Sequence, residues 1–595
     1  MPRGWLLVVL LAAGCNAAVP PSGSAEAAGI RGGTLRVGVP LPPDAFEGWQ
    51  VAIFDPQFPG GTMFRCCLLR TLLTYNGRSF IDGGAELLPD LAERLPEVTR
   101  DGLTWTFRLK DGLRYAPPFD ERPILARDFL TALERTVRAG FASHYDIVEG
   151  VAAFRAGEAG TISGAQASDD RTLIFHLREP AGDFGNRVAM TYLAPIPDDA
   201  IRFHDEQYPG FLVASGPYMI EAAESLDHAD PEADPFWHGM GLGAFALVRN
   251  PSWSSSSDPI RPAYADRIEV VPFATSQDVD RAVLRGEIDV AVDPLLPESL
   301  TAVVADPALR SRLHEAPLPG LFYIPLNVAQ PPFDDVAVRR AVNAVLDREA
   351  LISAVTPRGG SAWVPLTHAF PDIAVAGLLR DYEPATLGAG DDTVLARQLM
   401  AGSSYDTNAD GRCDGDACHV TANPFRVTEP EVLEIIAQNL LQLGIRVTWV
   451  EVEQPEDVME PEAHIGFAAI FGWIIEYPSA TDVVPLFTKP GLGSVDLSLV
   501  GASSEQLESW GYEVTSVPSV DDKIAACRPR LGSAAFACWA ELDQLLSEQV
   551  VPWAPIATPV GAWLVSDRVD RFDISGPDSQ PALERMSLRA NANDP

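Results

Sequence analysis

The chain has 595 residues, 47% of them hydrophobic, which suffices for a large core and for about two to four domains. Its 82 acidic residues against 44 basic ones leave a formal charge of −38. Such an excess repels nucleic acid and anionic membrane surfaces, so neither is expected as a partner.

The N-terminus departs from the globular pattern. Arg3 precedes "GWLLVVLLAAGC", an apolar stretch too short for a permanent bilayer span but of the length of a secretory signal. Ala12, Ala13 and Gly14 before Cys15 resemble a lipobox, so residues 1–15 read as a lipoprotein signal region with Cys15 as the lipidated first mature residue. Residues 16–30 then read as a flexible tether too poor in large apolar side chains to fold. The expectation is export, with a lipid anchor as the sole tie to the membrane. No later segment has the length and purity of a membrane-spanning helix.

Strand and helix patterns alternate from there. "GGTLRVGVP" (Gly32 to Pro40) is a glycine-led strand. Thr104, Thr106 and Arg108 alternate with Trp105, Phe107 and Leu109, the period of a half-buried strand, between Asp-Gly turns. "ARDFLTALERTV" sets Phe129, Leu130, Leu133 and Val137 on one helical stripe. Leu125 precedes this helix, where a capping Thr or Ser would be expected, and leaves that end unexplained. Residues 221–246 read as an inserted loop. "DDVAVRRAVNAVLDREALI" is a helix with Asp335 as N-cap and Val338, Ala341, Val342, Val345 and Leu346 on one face. In "TEPEVLEIIAQNLLQLGIRVTWVEV", Thr428 and Glu431 form a capping box, Gly444 ends the helix, and a strand starts at Ile445.

Setting Cys15 aside, six cysteines form three sequence-local pairs. In an oxidising compartment Cys413 with Cys418, and Cys527 with Cys538, read as short-loop disulfides. The apolar setting of Cys66 and Cys67 reads as two buried thiols. Around Cys413, "DTNADGRCDGD" places Asp406, Asn408, Asp410 and Asp414 at the oxygen-ligand positions of a calcium loop, with Gly411 for its sharp turn. Position twelve is Ala417 rather than a bidentate glutamate. A solvated acidic loop stapled by Cys413 and Cys418 therefore stands beside the reading as a structural calcium site; no other cofactor is expected.

The segment "FAAIFGWIIEYPSATD" (467–482) drives an apolar run into Glu476, with no lysine or arginine between Val452 and Lys489. Burying an ionised carboxylate is expensive unless a cation or several donors meet it. Either a ligand's cation or an arginine remote in sequence would answer. Trp473 reads as a cleft-edge aromatic or as a core side chain, and Tyr477 as a hydroxyl donor to a ligand carbonyl. Asp482 reads as the cap of a following helix. The nine histidines lack ligand spacing, and no GxSxG elbow or GxxxxGK[ST] loop occurs, so an enzyme is not expected.

Seven stretches in order carry a family resemblance: "GGTLRVG", "LLPDLAERLPEVTRDGLTWTFRLKDGLRY", "SGPYMI", "LVRNPSW", "YADRIEVVPF" with "LRGEIDVAV", "PPFDDVAVRRAVNAVLDREALI" and "GWIIEYP". Together they resemble the extracellular solute-binding proteins of family 5, the peptide- and nickel-binding group of ABC importers. The resemblance implies an α/β, two-lobed periplasmic-binding-protein-like fold with a hinge and an extra domain on the N-terminal lobe. Lobe one would combine 31–70, 206–300 and 559–595; the added domain would be 71–205, and lobe two 301–558. It further implies a monomer that captures oligopeptides or dipeptides and delivers them to an ABC permease driven by separate ATPase subunits. A nickel chelate, a sugar, or a secreted sensor or hydrolase uncoupled from transport are the alternatives. In the peptide-binding branch the motif G-W-x-A-D-Y carries an aspartate that pairs with the peptide's ammonium; here Gly472, Trp473, Ile474, Ile475, Glu476 and Tyr477 occupy it.

Overall fold

The computed structural model describes residues 29–40, 64–79, 83–198, 213–225, 245–355, 362–384, 392–425, 427, 429–452, 457–458, 460–487, 497–576 and 579–590. Cys15, nearly all of the tether and most of the 221–246 insertion lie outside them.

One mixed sheet and one antiparallel sheet organise the two halves. In the first, Thr34–Pro40 runs parallel to both Arg267–Phe273 and Val290–Ala291, and Phe245–Arg249 and Tyr218–Ile220 extend the sheet antiparallel. Leu35, Val37 and Val39 alternate into its core, as the glycine-led strand pattern requires. The spine of the second sheet is the 12-residue strand Trp553–Leu564. It pairs with Leu313–Pro317, Gly320–Pro325 and Ala362–Pro365, and Gly320–Pro325 carries Phe471–Ile474 on its outer side. The division expected at 558/559 falls inside this spine, and that at 300/301 inside the helix Pro297–Ala305. Continuous elements, not loose linkers, cross both points.

The second half holds a further parallel sheet, in which His419–Asn423 lies between Arg446–Trp449 and Phe467–Ala468. Parallel neighbours need a crossover, and the helix Pro430–Gln442 supplies it between the first two. That helix opens with Pro430 behind Glu429, which makes no side-chain cap; Thr428 lies outside the described residues. Gly444, at φ +79, reverses the chain, and the strand begins at Arg446, one residue later than expected. Asp335 caps Val336–Val345 by accepting from Ala337 N at 2.8 Å. From that helix Arg339 reaches Val550 O at 2.7 Å and Arg340 reaches Glu548 O at 2.8 Å. Both guanidinium groups satisfy carbonyls at the end of the helical run after Gly532, where the backbone has no partner of its own.

The added unit, within residues 83–198, holds a four-stranded antiparallel sheet of Glu97–Val98, Thr104–Arg108, Thr172–His176 and Ala165–Asp169, packed by the helix Ala126–Arg138. Trp105 and Phe107 are buried, and so are Phe129, Leu133 and Val137 of the helix. The unexplained helix start has an answer three residues inward. Asp128 accepts from Leu125 N at 2.9 Å and from Tyr115 OH at 2.9 Å, so the first turn supplies the acceptor that Leu125 lacks. Burial pushes that carboxyl up to about 6. The largest buried cluster runs unbroken from the first sheet into this sheet and helix, so the added unit shares a core with the first half.

One cysteine expectation is corrected: Cys66 and Cys67 are joined as a disulfide between adjacent residues, not left as two thiols. Both are buried, which holds the two sulfurs against each other away from solvent. Cys413 and Cys418 have their sulfurs 2.10 Å apart, and Cys527 and Cys538 2.02 Å.

Candidate functional site

The site grows from the end of an edge strand. Phe471–Ile474 can lie close on Gly320–Pro325 because Gly472 sits over Phe322, where a Cβ would come within 2.8 Å of the ring. The strand ends at Ile474, and Ser479 opens a short turn through Ala480–Asp482. The turn folds back so that Asp482 Oδ2 accepts from Glu476 N at 3.0 Å. Asp482 thus holds the backbone at Glu476 rather than capping a following helix. Burial, with the Glu476 carboxylate next to it, pushes the Asp482 carboxyl up to about 7.

Glu476 and Tyr477 project onto residues 71–205. Glu476 Oε2 lies 2.9 Å from His144 Nε2, and the His144 ring stacks on Tyr192 at 5.5 Å. Tyr477, 4% exposed, is buried in the core cluster of the first half. Its hydroxyl donates to Asp183 Oδ2 at 3.1 Å, and the Arg187 guanidinium lies 5.9 Å from its ring. Burial alone would raise the Asp183 carboxyl, but Arg187 Nε at 2.8 Å, together with Thr481 and Tyr477, holds it below its ordinary value. Arg187 also donates to His144 O at 2.8 Å, which links the two contacts. A backbone bond from Gly182 N to Arg528 O at 2.6 Å and the Arg528–Glu179 ion pair at 3.1 Å extend the same seam.

Beside this seam is a cavity of about 110 Å³. Glu476 and Tyr477 line it from the second half; Asn186 and Met190 from the added unit; Cys66, Arg261 and Glu584 from the first. Of the three ligand residues expected from sequence, Glu476 and Tyr477 meet here. Trp473 does not line the cavity; it is half-buried against the core of the second half. Of the two answers open from sequence, a ligand's cation or a remote arginine, neither is the contact seen at Glu476, which is with the His144 imidazole. His144, Asp183 and Glu584 carried no local sequence mark, since each acquires its meaning only from a segment remote in the chain.

In the acidic loop, side-chain oxygens accept from the loop's own backbone. Asp406 accepts from Asp410 N and Gly411 N at 3.2 and 2.7 Å, Asn408 Oδ1 accepts from Asp410 N at 2.9 Å, and Asp414 accepts from Thr407 N at 2.9 Å. Among the described residues, the group of three His, Cys, Asp or Glu side chains converging within 4.8 Å is Cys66, Cys67 and Glu584. Its two sulfurs are joined to each other and present no thiolate to a metal. No helix among the described residues is long and apolar enough to cross a membrane.

Residues 86–493 match the family described as bacterial extracellular solute-binding proteins, family 5 Middle. The probable deoxycholate-binding periplasmic protein YgiS of Escherichia coli (strain K12) is 23% identical over 383 residues, covering 63% of this chain and 65% of YgiS. The periplasmic oligopeptide-binding protein OppA of the same strain is 26% identical over 397 residues, covering 64% of this chain and 66% of OppA. The chain thus spans just under two thirds of either relative. In three dimensions, clavulanic acid biosynthesis oligopeptide binding protein 2 superposes with a TM-score of 0.72 at 23% identity, over 94% of this chain and 96% of that one. The fold is therefore the two-lobed fold of periplasmic binding proteins. The chain belongs to the bacterial extracellular solute-binding proteins of family 5, which bind solutes and are not enzymes.

Proposed function

We propose that this chain is the extracytoplasmic receptor of an ABC importer, tethered to the membrane through a lipid on Cys15. It takes oligopeptides or dipeptides by their terminal ammonium and hands them to a membrane permease powered by separate ATPase subunits. One observation carries the reading: Glu476 lines the cavity and lies 2.9 Å from the His144 imidazole. An imidazole gives up its place to a ligand ammonium more readily than an arginine, which keeps its charge at every physiological pH. The carboxylate then discriminates for cations, because an uncharged ligand leaves it desolvated and unpaired. OppA, a relative, is named for oligopeptide binding.

Calorimetry with trialanine and N-acetyl-trialanine tests the reading. Trialanine is expected to bind and the acetylated peptide to bind at least about thirtyfold more weakly, the lower limit for deleting one partner of a buried charged pair. Equal binding of the two, or binding of neither, rejects it.

A further inference from the structure

We propose that Glu584 is a second cation-recognising group in the same cavity, a subsite for a basic side chain of the ligand. The proposal rests on the ammonium reading of Glu476 and names the side-chain class that accompanies it.

Glu584 is 6% exposed, and its Oε2 is buried with no hydrogen-bond partner among the described residues. It lines the cavity from lobe one, while Glu476 does so from lobe two. A carboxylate in this position is costly unless a donor or a cation meets it. The nearby guanidinium groups are engaged elsewhere. Arg261 donates to Asp90 at 2.9 Å and Asp258 at 3.1 Å, and Arg70 pairs with Asp90 at 2.7 Å, so two buried arginines balance two buried aspartates. Arg585 donates to Asp573 at 3.2 Å and to Ile260 O at 3.0 Å. On the remaining side, Cys66 and Cys67 bring sulfurs within 4.8 Å of a Glu584 oxygen, and a disulfide supplies neither a charge nor a strong donor.

The cavity's size sets the ligand group. At about 110 Å³ it falls below the roughly 300 Å³ at which pockets for whole small ligands begin, and it suits one side chain. Two acidic walls around that volume fit a ligand carrying two cations, an α-ammonium at Glu476 and an ammonium or guanidinium at Glu584. The groups that face Glu584 are Arg585 on its own turn, Arg261 and Asp258 from the segment before Arg267, Tyr218 on its strand, and the joined cysteines. Burial pushes the Glu584 carboxyl up to about 7, against the pull of Arg585 and Arg261. Its affinity for a cation therefore increases as pH rises through that value.

The test compares Lys-Ala-Ala with norleucine-Ala-Ala by calorimetry, on the parent protein and on Glu584→Gln, from pH 6 to pH 8. The parent should prefer lysine by at least about tenfold at pH 8, and less at pH 6. Glu584→Gln should lose that preference and its pH dependence. Lysine and norleucine binding alike to the parent, or a preference that persists in Glu584→Gln, overturns the subsite and leaves the ammonium anchor intact. If Glu584→Gln does not fold, the parent's pH series decides, and a pH-independent preference overturns the subsite. Failure of every peptide to bind the parent rejects the peptide reading, and the subsite with it.

Discussion

Glu476 Oε2 and His144 Nε2 meet at 2.9 Å between segments more than 300 residues apart in the chain, and Glu476 also lines the cavity. On the proposed reading, a ligand ammonium replaces this imidazole at Glu476. Glu476→Gln keeps the shape and removes the charge, so it should weaken trialanine binding by about 2–5 kcal/mol. Acetylating the peptide deletes the same interaction from the other side. The two changes together should therefore cost little more than either alone, and full additivity in a calorimetric cycle rejects the ammonium anchor.

His144→Ala should act in the opposite direction. The imidazole competes with the ligand for Glu476, and a competent state that is only partly populated lowers apparent affinity by that fraction. The backbone contact of His144 O with Arg187 survives the substitution, so the seam keeps part of its support. Tighter binding of trialanine, by severalfold, is expected in titrations of His144→Ala. Weaker binding would show that His144 belongs to the ligand's own contact set.

A second histidine sets a stability dependence on pH far from the cavity. His368 Nδ1 lies 2.8 Å from Asp543 Oδ2, both buried, and Asp543 also accepts from Ala369 N and Phe370 N. Burial alone would lower the His368 imidazole, but the Asp543 bond and charge, with Asp372 at 3.8 Å, raise it above its ordinary 6.5. A raised folded value means the native state holds the proton more tightly than the unfolded chain does. The stabilisation is therefore complete below about 6.5 and is lost as pH rises through the folded value. His368→Gln should cost about 1–3 kcal/mol at pH 6 and distinctly less at pH 9, read by chemical denaturation. A cost independent of pH contradicts the protonated pair.

The parts of the fold that were legible in the sequence are those decided within a few residues. Trp105 and Phe107 alternate into the core because a strand alternates its faces, and Asp335 caps its helix because its acceptor reaches the second residue on. Leu125 remained opaque since its compensating acceptor, Asp128, is read as one more acidic residue until Tyr115 is known to be near. The candidate site was half legible. Glu476 announces itself by an apolar run ending in a carboxylate, yet His144 reaches it, and Asp183 reaches Tyr477, only through packing between segments remote in the chain. Trp473 and Tyr477, two side chains of one short motif, go to different cores, which depends on the edge position of Phe471–Ile474. Cys66 and Cys67 looked like thiols because apolar neighbours say nothing about pairing.

Membrane attachment rests on the N-terminal stretch that ends at Ala13, Gly14 and Cys15. Cys15→Ser removes the acceptor of the lipid and leaves the described core untouched. The substituted protein should move from the membrane fraction to the soluble exported fraction with an unchanged melting temperature. Identical fractionation of both proteins excludes a lipid on this residue.

The loop from Asp406 to Cys418 tests whether a calcium-like spacing makes a calcium site. Its acceptors are engaged by the loop's own backbone: Asp406 by Asp410 N and Gly411 N, Asp414 by Thr407 N and Thr407 Oγ1. A cation would have to displace those donors without the bidentate glutamate of a complete loop, since position twelve is Ala417. The Cys413–Cys418 bridge and the bond from Cys413 N to Leu443 O at 2.7 Å already fix the loop on the end of the Pro430–Gln442 helix. Opening the bridge by Cys413→Ser with Cys418→Ser should cost about 2 kcal/mol, the chain-entropy value for so short a loop. Calcium, by contrast, should leave the melting temperature where a chelator leaves it. A ligand bound only to the folded state adds RT ln(1 + [L]/Kd), about 2.7 kcal/mol at a hundredfold excess over Kd, so even a millimolar-class site would show at high calcium. A dose-dependent rise that Asp406→Asn abolishes would establish calcium at this loop; without one, the disulfide is what orders it.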